Sequence, residues 1–418
     1  MENESAGSRE IKGGPHVNQP VLSIDVAKGK SVAAAFLSYH DCLYKPFTFH
    51  HSQEDLQRVL AILEELKSVS GQEPKVVLEA TGNYSKPLAS FFSSYGYSVV
   101  LLNPLLTHQL KQKAVRKVKT DPIDAIRIAQ VFYLQDPQPH VPLDETVQQL
   151  RVFCRQYQHW TALYGQTQLH FRAVLDLLFP GYDQAFQKVC NRTSLELLSR
   201  FPTPAELLAA DPEEVLNLLL SNRRGRAWNE TKRQQLLEMA RHSLPDLHGI
   251  EAQKAVLRSY IHLLQTYQDC MDDLLRSMQS LAESIETYAL LRTIPGVGPL
   301  TAAMLIAEIG DIKRFPSVKQ LTAFAGLDSA VHESGTFKSK KNRISKRGSS
   351  YLRTALYQAT VAGISKQIHG PRNSIIFQFY QQKRDEGKPA KVAIVAASHK
   401  LLRIIFGMWN SGSAFQAH

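Results

Sequence analysis

Ser23-Ile24-Asp25-Val26 sets a carboxylate in the middle of a strand-like apolar run, and Val76-Val77-Leu78-Glu79-Ala80 ends a second such run on another. A charge held among apolar neighbours is costly unless it is paired or bound to a metal. Outward from the first stretch, Pro20 to Leu37 reads as a β-hairpin with its turn at Lys28-Gly29-Lys30. Ser52 to Ser68 carries Leu56, Val59, Leu60, Ile62, Leu63 and Leu66 at helical spacing, with Ser52 as N-cap. Lys75 to Glu79 is a strand, Tyr84 to Tyr95 a helix and Ser98 to Asn103 a buried strand, and Pro122 begins a further helix behind Asp121. Strands alternating with helices predict a mixed α/β sheet domain over residues 18–142, after a polar tail 1–17 and with a Pro-rich exit from Asp136 to Pro142.

From Asp144 onward strand signals fade. Two long helical stretches, Glu145 to Leu178 and Ala252 to Leu290, flank a shorter helical insert holding Pro202, Pro204 and Pro212. They predict an antiparallel helical hairpin or coiled coil across 143–290, an arm or an oligomerisation element. Residues 291–410 form an all-α, glycine-punctuated, basic domain followed by a tail 411–418; no acidic side chain lies between Glu333 and Asp385. Ile294-Pro295-Gly296-Val297-Gly298-Pro299 resembles the turn of a helix-hairpin-helix element. Gly296 and Gly298 permit a tight turn with exposed N–H groups, and the next helix offers its positive end to a phosphate. The plainer alternative is a glycine-rich turn between helices.

The chain has 418 residues, 44% hydrophobic and 21% charged, which suits a globular protein of more than one domain. A net charge of +11 attracts polyanions. No uninterrupted apolar run approaches the roughly 20 residues that span a bilayer. Met1 to Pro20 lacks the apolar core of a signal peptide, so nucleic acid is expected as partner, no membrane, and a cytoplasmic location. Cys42, Cys154, Cys190 and Cys270 make no zinc-ligand spacing and read as reduced thiols.

Four carboxylates form the first candidate site. Asp25 and Glu79 fall at strand positions able to converge, and Asp121 and Asp124, three apart, share a helix face. Four converging acids are what a pair of Mg²⁺ ions requires. Taken alone, Asp121 before Pro122 also makes an ordinary N-cap, with Asp124 suited to the helix dipole. The order strand Asp, strand Glu, helix Asp-x-x-Asp resembles the RuvC and RNase H nuclease folds. Lys111, Lys113, Arg116, Lys117 and Lys119 precede the last pair, either as a solvated face or as a hold on nucleic-acid backbone. The second candidate is Ser334 in Ser334-Gly335, followed by Lys338, Lys340, Lys341, Arg343, Lys346, Arg347 and Arg353. An exposed serine beside such cations can attack a phosphate whose charge they offset, although most Ser-Gly pairs are turns. Ser339, Ser345, Ser349 and Ser350 are nearby competitors.

Together these blocks, in order from Val21 to Gly407, resemble the "one-ten" insertion-sequence transposases, relatives of the Piv DNA invertases and described as bridge-RNA-guided recombinases. The resemblance implies a RuvC-like domain with a DEDD cluster of Asp25, Glu79, Asp121 and Asp124, and a catalytic serine at Ser334. It implies a structured bridge RNA that pairs with donor and target DNA, and a phosphoserine intermediate. Holding two DNA partners favours a symmetric homo-oligomer, a dimer or tetramer. Two rival readings stand beside it. One is a metal-dependent nuclease or junction resolvase in which the acids activate water and Ser334 is only a turn residue. The other is a non-catalytic nucleic-acid-binding protein.

Overall fold

Five short strands organise the N-terminal unit: β1 (Val21–Val26), β2 (Lys30–Ser38), β3 (Asp41–His50), β4 (Lys75–Glu79) and β5 (Ser98–Leu102). The computed structural model describes residues 17–80, 82–104, 107, 121–135, 143–186, 188–220, 226–329, 333–334, 337–338 and 343–416. The chain divides into two units, Met1–Pro142 and Leu143–His418.

The sheet order is β3-β2-β1-β4-β5, with β1–β2 and β2–β3 antiparallel and β1–β4 and β4–β5 parallel. The sheet is therefore mixed, as the alternating elements predict. β3 was not expected, because Lys45 and Pro46 interrupt its apolar pattern. Proline lacks an N–H and is tolerated on an edge strand. β3 is such an edge, and Pro46 falls where the β2–β3 register shifts between Ala33 and Ala35.

One face of the sheet packs on α1 (Gln53–Ser70) and α2 (Ser85–Ser94) through Leu22, Ile24, Val76, Leu78, Leu63, Leu66 and Phe92. Ser52 Oγ caps α1 by accepting from the Asp55 N–H at 3.2 Å, and Gly71, at φ 66°, ends it. The other face lies beneath α3 (Asp121–Leu134), where Val21, Val77 and Val100 meet Ala125, Ile128, Ala129 and Phe132. Each of the large side chains fully buried here contributes about 1.5–3 kcal/mol.

In the second unit, α4 (Glu145–Leu178) and α10 (Ile250–Glu283) are 34 residues each and run side by side. Gln268 donates to the Tyr164 hydroxyl at 2.8 Å, and the Trp160 and Tyr267 rings lie 5.5 Å apart. Between them in sequence come α5 (Tyr182–Ala185), α6 (Arg192–Arg200), α7 (Pro204–Ala209), α8 (Pro212–Leu220) and α9 (Arg226–His242). These helices share a core with Phe171 and Leu175 of α4 and with Leu257, Ile261 and Leu264 of α10. The second stretch, expected to run unbroken to Leu290, ends at Ser284, whose hydroxyl bonds back to the Leu281 carbonyl, and Ile285 is extended.

The chain then continues as α11 (Glu286–Arg292), α12 (Pro299–Ile309), α13 (Val318–Ala325), α14 (Ser350–Ile364), α15 (Ser374–Asp385) and α16 (Ala390–Ser411). Their core also takes in Val147, Leu150 and Cys154 of α4 and Met278 and Ala282 of α10. Two short hairpins, β6–β7 (Glu333–Ser334, Phe337–Lys338) and β8–β9 (Lys366–Gln367, Gly370–Pro371), sit where only helix was expected. Strands of two residues leave no periodicity to read. α16 is long and apolar enough to cross a membrane by composition, but its Ala397, Leu401, Leu402 and Ile405 belong to this core. All four cysteines are free thiols, and burial pushes Cys154 up to about 12.

Candidate active site

Alternation along a strand decides which side chains share a face. In β1, Leu22, Ile24 and Val26 belong to the α1–α2 layer, so Val21, Ser23 and Asp25 take the side covered by α3. In β4, Leu78 lies in the α1–α2 layer and Val77 in the α3 layer, so Glu79 takes the α3 side. The parallel register sets Ile24 abreast of Leu78. The next residue of each strand is Asp25 and Glu79, which therefore come side by side at the carboxyl ends. Asp124 lies four residues before Ile128, on the side of α3 turned to the sheet.

Asp124 is 6% exposed, Glu79 is 9% exposed and Asp25 is half-buried. Carboxylates in such surroundings need compensating partners. Arg127 gives Asp124 one, with Nη1 at 3.0 Å from Oδ1. The Thr107 hydroxyl, 2.9 Å from the Pro104 carbonyl oxygen, gives Glu79 a short hydrogen bond. Neither Arg127 nor Thr107 was singled out from the sequence. Arg127 was legible as the i+3 cation to Asp124, whereas Thr107 had no signal.

An all-carboxylate donor set suits a hard divalent cation. Among the described residues, no three His, Cys, Asp or Glu side chains stand together around one ion position. Asp121 opens α3 one turn before Asp124, and its side chain lies outside the described residues.

In the second unit, the backbone of Ser334 lies in β6 opposite Phe337 of β7. The side chains of Ser334 and Lys338 lie outside the described residues, as do Lys111, Lys113, Arg116, Lys117, Lys119, Ser339, Lys340 and Lys341. Arg343, Lys346 and Arg347 are exposed. Arg353 is half-buried and donates to the Ala325 carbonyl at 2.8 Å, which ties α14 to the end of α13. Gly298 is exposed at the start of α12. Gly296, at φ 100°, turns inward instead: a Cβ there would stand 2.7 Å from Gly363 Cα on α14.

The stretch after β7 is clamped to the helices beneath it. Ser345 N–H donates to the Asp328 carbonyl at 2.8 Å and its hydroxyl to the Asp328 carboxylate at 2.5 Å. Gly348 passes so close that a Cβ would meet the Phe324 carbonyl oxygen at 2.0 Å. Ser349 caps α14 by accepting from Leu352 N–H, and its hydroxyl donates to Glu308 Oε2 at 2.8 Å. Ser345 and Ser349 thus have structural work in the fold.

Glu308 itself went unnoticed in the sequence, though it is the one charge in the apolar helix α12. Its side chain is 2% exposed and takes paired bonds from Arg155 Nε at 2.8 Å and Nη2 at 3.1 Å. Arg151 donates to the carbonyls of Ala307 and Glu308 at 2.6 and 3.1 Å. Burial pushes the Glu308 carboxyl up, but the Arg155 bonds and charge, the Ser349 hydroxyl and Arg151 outweigh it and hold it below the usual range. Glu308→Gln should therefore lower the stability of this unit by about 2–4 kcal/mol near pH 7, since it leaves Arg155 without its counter-charge. Because the folded value is depressed, wild type keeps this advantage above the ordinary glutamate range, about 4.3, and loses it as pH falls through the folded value. Denaturant titrations at several pH values should show the two proteins converging in acid, and a pH-independent gap would refute the assignment.

With the geometry in place, the chain can be set beside known proteins. A family model described as "Transposase" matches residues 22–180, and one described as "Transposase IS116/IS110/IS902 family" matches residues 288–374. Together they cover more than half of the chain. A pilin gene-inverting protein of Moraxella bovis is 23% identical over 96% of this chain and 98% of its own length. The insertion element IS116 uncharacterized 44.8 kDa protein of Streptomyces clavuligerus is 22% identical over 94% and 95%. A transposase for insertion sequence element IS1111A of Coxiella burnetii is 38% identical over 28% and 29%. The first model spans Asp25, Glu79, Asp121 and Asp124, the second spans Ser334 and the basic stretch after it, and the chain belongs to the IS116/IS110/IS902 family of transposases.

Proposed function

We propose that this chain cuts and rejoins donor and target DNA, with Asp25, Glu79, Asp121 and Asp124 holding Mg²⁺, two ions per site, and Ser334 as nucleophile. The observation that carries the reading is the meeting of Asp25 and Glu79 at the ends of adjacent parallel strands, beneath the helix that holds buried Asp124. The net charge of +11 and relatives named as transposases and gene-inverting proteins support a DNA substrate. Bound Mg²⁺ would make the serine hydroxyl more acidic and offset charge on the phosphorane.

The remaining work belongs to the chain. Ser334 Oγ attacks a backbone phosphorus, a deoxyribose hydroxyl leaves, and the phosphoserine ester keeps the bond energy until a hydroxyl of the partner strand displaces the serine. Arg127 holds the Asp124 carboxylate in place through its 3.0 Å contact. Arg343, Lys346 and Arg347, with Lys338, Lys340, Lys341 and the run Lys111 to Lys119, bind backbone phosphates. Choice of sequence falls to a bridge RNA that pairs with both DNAs; similarity to the family supports this. The working form is a homo-oligomer in which the carboxylates of one subunit are completed by Ser334 of another.

Reactions of the full-length protein with its element's DNA and RNA, stopped by denaturation, test the reading. Protein joined covalently to DNA is expected in Mg²⁺ and none after chelation. Cleaved DNA without an adduct would assign a metal-dependent nuclease or junction resolvase instead, and cleavage that survives chelation would end the metal assignment.

A further inference from the structure

Ile368 is 96% exposed, more than any other large hydrophobic side chain among the described residues. It stands in the two-residue turn of the β8–β9 hairpin, between Gln367 and Gly370. Gly370, at φ 114°, gives the return strand a backbone conformation that side chains rarely adopt. Ile368 belongs to none of the hydrophobic cores, so packing within the fold does not account for an apolar residue at this tip.

The hairpin is stiff and basic. Gln367, with its amide oxygen turned to Arg372, accepts from Nε at 3.1 Å and Nη2 at 2.8 Å across the strands. Lys366 lies over the Phe377 ring at 5.4 Å, and Lys366 and His369 are exposed beside Ile368. At the base, Arg372 N–H donates to Ser365 O at 3.0 Å and Asn373 N–H to Gly363 O at 2.8 Å. Asn373 is 2% exposed, and its amide donates to the Pro295 carbonyl at 3.1 Å. The hairpin thus stands directly on the Ile294–Gly298 turn, whose Gly296 packs against Gly363.

A rigid finger with one apolar side chain at its tip and cations on its shoulders matches the way proteins enter a stacked duplex. The apolar group slides between base pairs while the cations hold the flanking phosphates. Charge decides for DNA over an acid-balanced protein surface, since no acidic side chain lies between Glu333 and Asp385. We propose that the β8–β9 hairpin is a wedge that inserts Ile368 between base pairs of duplex DNA, opening strands for exchange. The proposal rests on the reading that this chain acts on DNA.

Closed circular plasmid, relaxed by a topoisomerase with the full-length protein bound and then deproteinised, records unwinding as a change in linking number. At equal occupancy, wild type should shift the topoisomer distribution, Ile368→Ser should lose most of the shift, and Ile368→Leu should keep it. Lys366→Gln should weaken plasmid binding and flatten the log–log salt slope by up to about 0.9. A full shift with Ile368→Ser, or wild type that binds without any shift, overturns the wedge alone. Wild type that does not bind DNA overturns the wedge and the DNA reading together.

Discussion

Asp124→Asn and Asp25→Asn should each slow strand cleavage by roughly 10³-fold or more and leave DNA affinity nearly unchanged. Asparagine keeps the shape of aspartate, so the α3 packing around Ala125 and Ile128 and the β1 ladder persist. What goes is one negative charge from a face where Glu79 and Asp124 are buried and Asp25 is half-buried. On the proposed reading, affinity comes from cations elsewhere, Arg343, Lys346 and Arg347 among them, and should not follow. Single-turnover cleavage beside filter binding separates the two effects. Cleavage near the wild-type rate in either variant would remove the carboxylates from the chemistry. Arg127→Gln is an informative companion, because it leaves every acid in place and removes the guanidinium that stands 3.0 Å from Asp124.

Ser334→Ala should abolish the denaturation-resistant DNA adduct, and a mixture of Ser334→Ala with Asp25→Asn should regain part of the cleavage that each lacks alone. The loss follows from removing the proposed attacking oxygen; Ser345 is bonded to Asp328, and Ser349 caps α14 and bonds to Glu308, which leaves Ser339 and Ser350 as the competing hydroxyls. The recovery follows from the proposed sharing of the site between subunits, since holding two DNA partners favours a symmetric assembly. An undiminished adduct in Ser334→Ala would move the nucleophile elsewhere. Subunits that demonstrably mix without renewed cleavage would place both halves of the site in one chain.

The placement of two of the candidate carboxylates was legible because isolated charges in apolar strands have few innocent explanations. Asp25 and Glu79 announce themselves within Ser23–Val26 and Val76–Ala80, and parallel pairing of β1 with β4 sets them abreast. The same argument applied to Ala307-Glu308-Ile309 would have found the Arg155 pair, but the glycine turn before that helix drew the reading to phosphate instead. β3 stayed hidden because an edge strand tolerates Pro46 and half-exposed residues that a central strand would exclude. The role of Gly296 was unreadable for another reason. A close approach to Gly363, 67 positions later, depends on how helices pack and leaves no local trace.

The sharing of α4 between two cores sets a problem of timing during synthesis. Val147, Leu150 and Cys154 leave the ribosome early, but their core is completed by residues as late as Leu401, Leu402 and Ile405. At about 5–20 residues per second, the roughly 250 intervening residues take on the order of 10–50 s to appear. Through that interval the first turns of α4 hold an apolar stripe with no partner, while the α5–α9 helices can already settle against its far end. A nascent chain in this condition is a natural client for chaperones that cover exposed apolar helix. A cell that makes the protein slowly, or stalls in its last quarter, accumulates chains whose N-terminal sheet is finished and whose serine-bearing half is not.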